Sequence, residues 1–383
     1  MTDKMQVNLR QVAMEILYEV QKNNGLLHVV LSDALKKYQY LDKNERSFIS
    51  RLVQGTEERK IELDYIIDSF SKTPVKKQKD VIRIILEMSV YQLKYMDSVP
   101  ASAVCNEAVK LAVKKNFGTL RGFVNGVLRN IARNIDNIEY PDKSTNTDKY
   151  LSVKYSVPEE LAGYFLKKFG DNETEEMFEA FNKDKSTYIR CNTKKTDIAG
   201  LTAALEAEGV TVTNEGIDKR IDYALKISGY DYLGGLKSFR DGLFFVQDIS
   251  SMLASQGGFI KRDAYVIDVC AAPGGKSINA ALMADIGHVS SRDISGRKVS
   301  LIKENAERLG IDNITYKVWD AVKKDEESVE KADVLICDLP CSGLGIIGRK
   351  PDIKYNVTYE KIKELALLQR KILSTVWEYV KKD

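Results

Sequence analysis

The sequence predicts a multidomain chain: an all-α helical bundle, then a small α/β unit, then an α/β domain built on a parallel sheet. Apolar residues recur at helical spacing across the first 134 residues, and short apolar runs alternate with helical patterns from residue 186 onward. An apolar strand near residue 267 also runs directly into a glycine-rich turn. Because 383 residues exceed one typical core, several domains are expected. We place them at 1–140 (bundle), 141–155 (polar linker), 156–246 (small unit) and 247–383 (last domain).

The N-terminal bundle is indicated by at least five segments with one apolar face. Val12, Ile16 and Val20 recur at helical spacing, and later segments repeat this pattern as far as Ile131. The run 81–96 is apolar nearly all round, which is typical of a central buried helix.

Basic side chains are concentrated in residues 101–135, where Glu107 is the only acid. Arg121, Asn125 and Arg129 fall on one side of a helix, which favours contacts with nucleic-acid phosphates. A solvated helix face is the alternative. The candidate phosphate contacts in this stretch are Lys110, Lys114, Arg121 and Arg129.

The small α/β unit is predicted from strands at 188–192, 210–212 and 223–227 and a helix at 198–207. Arg190 lies on the first strand. Its guanidinium could contact a phosphate or could equally pair with a surface acid, and the sequence leaves both open.

The stretch Tyr265–Ser277, YVIDVCAAPGGKS, predicts a strand, a tight turn and a helix that opens at Lys276. Glycines in such a turn let the backbone approach a ligand closely, and nucleotide-like cofactors bind after the first strand of an open α/β sheet. A Walker phosphate loop is disfavoured because Cys270 occupies its first glycine position. A dinucleotide fingerprint at 343–348 is also rejected, since no amphipathic helix follows it.

Acids follow the next three predicted strands. Asp293, Asp320 and Asp338 come after strands at 288–292, 314–319 and 333–337. A carboxylate at the first of these positions can accept both hydroxyls of a ribose, and one at the second can receive an adenine amino group. A single such Asp would be explained by helix capping, but three in sequence around one glycine turn favour an S-adenosylmethionine site.

Cys341 lies in the string DLPCSGLG, just beyond Asp338. A cysteine at the rim of a cofactor pocket suits methylation of cytosine C5, because a thiolate added to C6 turns the ring into an enamine-like nucleophile. Most free cysteines are instead buried small hydrophobes, and we expect that of the other four: Cys105, Cys191, Cys270 and Cys337.

Together, VIDVCAAPGGKS, the three acids and DLPCSGLG followed by RKPDIKY resemble the RNA 5-methylcytosine methyltransferases. The strings SFISRLVQGTEERK and RGFVNGVLRNIAR resemble the NusB-like extension of the members that act on bacterial 16S ribosomal RNA. The resemblance covers essentially the whole chain and implies a Rossmann-like catalytic domain, an RNA-recognition-like small unit and 16S ribosomal RNA as partner. It implies that S-adenosylmethionine contacts Cys270, Ala271, Ala272, Pro273, Gly274, Gly275, Lys276, Asp293, Asp320 and Asp338.

The sequence departs from the family at the nucleophile. The family attacks C6 with a second cysteine in a Thr-Cys-Ser-like motif, and no cysteine follows Cys341 here. Cys341 matches the family cysteine that helps to release the product. Two explanations stay open: the chain is truncated at its C-terminus, which we favour and which makes the catalytic domain incomplete, or Cys341 itself attacks.

Arg349 and Lys350 follow in a loop that we expect to lie over the active site. There they would hold phosphates that flank an extruded cytosine, since a base must leave its stack to be methylated. A solvated loop is the alternative.

Other classes of protein are disfavoured. No apolar run is long enough for a membrane helix, and five cysteines without a Cys-x-x-Cys pair indicate reduced thiols in a cytoplasm. With only two histidines, a metal site is not expected, and we expect a monomer. The rival hypothesis is a non-catalytic RNA-binding assembly or transcription factor with a vestigial cofactor domain.

Overall fold

The computed structural model describes residues 7–23, 25–183 and 186–382. The chain forms two compact units that are discontinuous in sequence. The first contains the described residues up to 183 together with Ser342–Tyr359, and the second contains those from 186 to Cys341 and from Glu360 onward. Residues 1–6 and 383, at the outer ends of the predicted domains, lie outside the described residues.

The first unit begins with the predicted all-α bundle, which is confirmed. Its central helix buries every side chain from Ile84 to Gln92, including the polar Glu87, Ser89 and Gln92. No helix among the described residues has the length and apolar composition needed to cross a bilayer. The bundle helices are α1 (Leu9–Asn23), α2 (Leu27–Lys37), α3 (Lys43–Glu58), α4 (Lys60–Phe70), α5 (Asp80–Tyr95), α6 (Ala101–Lys114) and α7 (Arg121–Asn134).

Three further helices correct the predicted linker and the start of the small unit. They are α8 (Thr147–Tyr155), α9 (Glu159–Phe169) and α10 (Asp171–Phe181). Their core contains Leu151, Phe165 and Phe178, so α8 is a packed helix and not a linker. All three helices belong to the first unit, although we predicted that the α/β unit begins at residue 156. The polar composition of residues 141–150 led to the prediction of a linker, although helix α8 begins within this stretch, at Thr147.

The second unit opens with a four-stranded antiparallel sheet in the order β2-β3-β1-β4. Leu201 and Leu205 of the helix between β1 and β2 pack on Ile189 and Phe244 of this sheet. The elements are β1 (Thr187–Cys191), α11 (Ile198–Ala207), β2 (Thr211–Thr213), β3 (Ala224–Ser228), α12 (Lys237–Arg240) and β4 (Phe244–Val246).

The predicted parallel sheet is confirmed, with strands in the order β7-β6-β5-β8. The chain moves outward from β5 to β7 and then returns to the other side of β5 with β8. In an open α/β sheet this reversal creates a crevice outside the carboxyl ends of the strands, where ligands bind. The elements are α13 (Ile249–Gly257), β5 (Tyr265–Asp268), α14 (Gly275–Met283), β6 (His288–Asp293), α15 (Gly296–Leu309), β7 (Ile314–Val318), β8 (Val334–Ile336), α16 (Ile353–Asn356, in the first unit) and α17 (Tyr359–Val376).

Candidate active site

The glycine-rich turn lies at the reversal, between the end of β5 and the start of α14. Gly274 has a φ of +105°, a conformation that L side chains rarely adopt. A Cβ there would also come within 3.1 Å of Ile302 and 3.2 Å of Ile278. The Ala271 N–H donates to the Arg292 carbonyl oxygen at 2.8 Å, which ties the turn to β6. The turn is therefore a fixed backbone surface at the carboxyl end of the sheet.

Asp268, the last residue of β5, was not among the predicted site residues. It is fully buried, and its Oδ2 accepts a 2.7 Å hydrogen bond from Ser277 Oγ on α14. Burial raises the pKa of this carboxyl to about 7. An acid at the end of an apolar strand, directly before a glycine turn, was the pattern that could have identified it.

The structure brings Asp293 to the same turn. Its Oδ2 accepts from the Ala272 N–H at 3.3 Å, and Lys298 Nζ lies 3.5 Å from its Oδ1. The carboxylate is therefore held beside the backbone of the turn, at the end of the strand next to β5.

Two large apolar side chains are exposed beside Asp293. Ile294 is 64% exposed and Val318 is 55% exposed, and the parallel register pairs Val318 with Asp293. These two aliphatic side chains are therefore accessible at the edge of the sheet where ligands bind in open α/β folds. Asp320 follows two residues later and accepts from the Val322 N–H at 3.1 Å, which is a turn-forming bond.

Across the reversal, Asp338 follows β8 and faces the first turn of α14. Lys276 Nζ lies 2.7 Å from Asp338 Oδ2. On the same loop, the Pro340 carbonyl oxygen accepts from Gln369 Nε2 at 2.8 Å. The ion pair joins two of the predicted site residues, one on each side of the crevice.

The three cysteines of this region differ in burial. Cys341 is exposed, whereas Cys270 and Cys337 are half-buried or more. Burial raises the pKa of Cys270 to about 12 and that of Cys337 to about 11. Because Cys341 alone of the three is exposed, it is the most accessible of these thiols.

The predicted phosphate contact of Arg190 is wrong for this structure, because its side chain is only 2% exposed. Its Nε donates to Gln247 Oε1 at 2.8 Å, and its guanidinium lies 5.9 Å from the Phe245 ring centre. A Cβ at Gly275 would lie 3.3 Å from Phe245 and 3.7 Å from Gln247. Arg190 thus supports the residues beneath the cofactor turn.

The basic residues of the bundle lie at its surface. Lys110, Lys114, Arg121 and Arg129 are all exposed on α6 and α7. Arg129 Nε donates to Asn125 Oδ1 at 3.0 Å, as their shared helix side predicts, and Lys110 lies 2.7 Å from Glu107. This distribution leaves the predicted basic face accessible.

The predicted active-site loop with Arg349 and Lys350 folds with the first unit. Arg349 is exposed and Lys350 is half-buried, and the chain then enters α16. The described residues contain no cluster of His, Cys, Asp and Glu suited to a metal ion.

Two family models match the chain: the NusB family over residues 7–133 and the 16S rRNA methyltransferase RsmB/F family over residues 260–383. A probable ribosomal RNA small subunit methyltransferase B of Bacillus subtilis (strain 168) is 35% identical over 377 residues, which cover 98% of this chain and 83% of that protein.

Solved structures agree on the fold. The crystal structure of PH0851 superposes with a TM-score of 0.78 at 25% identity, covering 99% of this chain and 85% of that one. NSun6 from Pyrococcus horikoshii, solved with SFG, superposes with a TM-score of 0.53 at 21% identity, covering 58% of this chain and 80% of that one.

Proposed function

We propose, from the premise that the chain belongs to the ribosomal RNA small subunit methyltransferase B family, that it methylates C5 of one cytosine in 16S ribosomal RNA. The family and the fold make it a methyltransferase that uses S-adenosylmethionine and acts on ribosomal RNA. The observation that carries the finer proposal is the exposed Cys341, on the loop whose Asp338 pairs with Lys276 of the cofactor turn.

The residues at the carboxyl end of the sheet fit S-adenosylmethionine. Asp293 would accept the ribose hydroxyls, because its carboxylate lies beside the turn. Ile294 and Val318 would pack against the adenine faces, and Asp320 would receive its amino group. The backbone from Cys270 to Lys276 would hold the methionine part, since the turn is fixed at the carboxyl end of the sheet by the bond from the Ala271 N–H to the Arg292 carbonyl oxygen.

The reaction needs a thiolate because C5 of cytosine is a poor nucleophile. Addition of a cysteine thiolate to C6 forms a carbon–sulfur bond and raises the electron density at C5. S-adenosylmethionine, when bound, would supply the methyl group to C5 from its sulfonium, and S-adenosylhomocysteine would leave with the electron pair of the broken bond. A base then removes the C5 proton, the carbon–sulfur bond breaks, and the thiolate leaves with its electron pair.

We assign Cys341 to this final elimination, in which case the attack on C6 requires the family's second cysteine, and no cysteine follows Cys341 in this sequence. The alternative role of Cys341 is to attack C6 itself. Asp338, which pairs with Lys276, would lie between the cofactor and the target base. The exposed Arg121 and Arg129 would bind phosphates of the RNA, and Arg349 and Lys350 would contact phosphates that flank the target base.

The test is transfer of labelled methyl groups from S-adenosylmethionine to unmodified 16S ribosomal RNA, followed by digestion and identification of the labelled base. We expect 5-methylcytosine at a single position, and RNA that already carries the modification should accept no label. Label on another base would contradict the proposal. No transfer by a folded chain that binds S-adenosylhomocysteine would exclude attack on C6 by Cys341.

A further inference from the structure

We propose that the segment Ser342–Tyr359, here called the anchor segment, positions the Cys341 loop for methyl transfer by docking into the helical unit. The proposal rests on the function proposed above and adds a positioning role for residues outside the cofactor domain. It starts from the discontinuity of the units: the chain leaves the second unit after Cys341, contributes the anchor segment to the first, and returns at Glu360.

Three polar side chains of the anchor segment bind main-chain groups of the bundle. Asp352 Oδ2 accepts from the Leu27 N–H at 3.2 Å. Lys354 Nζ donates to the Glu58 carbonyl oxygen at 2.6 Å, and the Tyr355 hydroxyl donates to the Glu57 carbonyl oxygen at 2.8 Å. Because the partners are backbone groups of α2 and α3, these bonds fix the segment to the helices themselves.

The burial of these groups shows that the docking is specific. Lys354 is 1% exposed and Asp352 is 5% exposed, although both side chains carry a charge. Removing charged groups from water is costly unless hydrogen bonds compensate. The hydrogen bonds of Asp352 and Lys354 to the bundle therefore determine where the segment docks. A lysine or aspartate that served only a solvated loop would be exposed.

Close packing holds the rest of the segment. Leu344 packs on the core of α8, α9 and α10. A Cβ at Gly343, whose φ is +74°, would lie 3.0 Å from Ile353, and one at Gly348 would lie 2.8 Å from the Phe181 carbonyl oxygen. Contacts from Gly343 to Tyr355 therefore leave little freedom in the segment.

The chain is thus restrained on each side of Cys341, within the second unit before it and within the first unit after it. On its N-terminal side, Asp338 pairs with Lys276 and the Pro340 carbonyl oxygen binds Gln369. On its C-terminal side, only Ser342 separates Cys341 from the packed Gly343. Restricting so short a loop before the reaction lowers the entropy that must be lost when the thiol reaches the target base.

The experiment compares three variants of the whole chain with a control. Tyr355→Phe removes one hydroxyl donor, Lys354→Met removes the ammonium, and Lys354→Arg keeps the charge. Lys371→Met, at an exposed position on α17, is the matched control. Hydrogen exchange is measured by mass spectrometry on peptides spanning 341–347 and on the cofactor turn at 270–276, and melting curves identify folded variants.

We expect faster exchange at 341–347 in Tyr355→Phe, by roughly five-fold for the loss of one neutral hydrogen bond, and a larger increase in Lys354→Met. Exchange at 270–276 should not change. The kcat for methyl transfer should fall in the same order, with unchanged KM for S-adenosylmethionine, and Lys354→Arg should recover part of it.

Wild-type exchange at 341–347 in folded Tyr355→Phe and Lys354→Met would overturn the proposal, and so would an unchanged kcat. If the wild-type chain does not methylate RNA, the proposed function fails, whereas the exchange measurement still decides whether the anchor segment restrains the loop.

Discussion

Lys276 Nζ lies 2.7 Å from Asp338 Oδ2, and this ion pair joins the first turn of α14 to the loop that follows β8, on the other side of the reversal. The cofactor turn and the Cys341 loop come from segments more than sixty residues apart in sequence. The pair therefore connects the cofactor turn, which would hold the methyl donor, to the Cys341 loop, which would act on the cytosine.

Replacing Lys276 with Met should reduce methyl transfer and cofactor affinity with little effect on stability. Asp338 is more than half exposed, and ion pairs in such positions contribute about 0–1 kcal/mol to folding. We expect kcat/KM to fall by roughly ten-fold or more, as for loss of one charged contact in a transition state. Lys303→Met, which removes a solvent-exposed partner of Glu307, is the control. A fall in melting temperature large enough to account for the loss of activity would point to a structural role instead.

Asp293→Ala should weaken S-adenosylhomocysteine binding and leave RNA affinity unchanged. The carboxylate accepts from the Ala272 N–H, so its loss removes both a proposed ribose contact and a bond that fixes the turn. We expect roughly a ten-fold to hundred-fold rise in Kd, the range for hydrogen bonds to a charged group. Isothermal titration with S-adenosylhomocysteine measures it, and Asp312→Ala, at an exposed surface acid, is the control. An unaltered Kd would disprove the ribose role.

The pair Arg121→Ala and Arg129→Ala should weaken RNA binding for all sequences alike. Each lost phosphate contact removes a released counterion, so the slope of log affinity against log salt should become shallower by about 0.7–0.9 per contact. Lys37→Ala, at an exposed lysine of α2, is the control. Binding measured at several salt concentrations decides, and an unchanged slope would show that α7 presents only a solvated face.

The cofactor region could be predicted from the sequence because its determinants are local. A strand, a glycine turn and a helix are encoded within Tyr265–Ser277, and Asp293, Asp320 and Asp338 come at or just after the ends of the predicted strands. The turn and Asp293 then meet because the carboxyl ends of parallel strands share one edge of the sheet.

Other features depend on tertiary packing and could not be predicted in this way. An arginine on a short strand has the same sequence pattern whether it faces solvent or, like Arg190, is buried against Gln247. The string RKPDIKY has a basic, loop-like composition, yet Asp352 and Lys354 are buried in the bundle through bonds to residues about 300 positions away in sequence. Composition does not indicate such long-range partners.

Asp268→Asn should change how stability depends on pH. Burial raises the pKa of Asp268 to about 7, whereas an unfolded aspartate titrates near 3.9. Between these values the folded chain keeps a proton that the unfolded chain has lost, so the wild-type protein loses stability as pH rises from about 4 to about 7. The Asn variant lacks this contribution. The difference in melting temperature, wild type minus variant, should fall across that window and level off above it, and a constant or rising difference would contradict the burial of a protonated acid.

Cys341→Ala distinguishes the two roles of the loop thiol. If Cys341 assists elimination, then in a chain that also carries the family's attacking cysteine the Cys341→Ala variant should still form the bond between that thiolate and C6 but should fail to break it. A covalent RNA–protein complex should then accumulate on ordinary 16S ribosomal RNA. RNA with 5-fluorocytosine at the target traps this complex in the wild type too, because fluorine replaces the proton that the base must remove. Denaturing gels measure both complexes. Cys337→Ala, which removes a thiol whose pKa burial raises to about 11, should behave as the wild type does. Loss of the fluorocytosine complex in Cys341→Ala, while the wild type forms it, would instead make Cys341 the attacking nucleophile, since no other thiol would then reach C6.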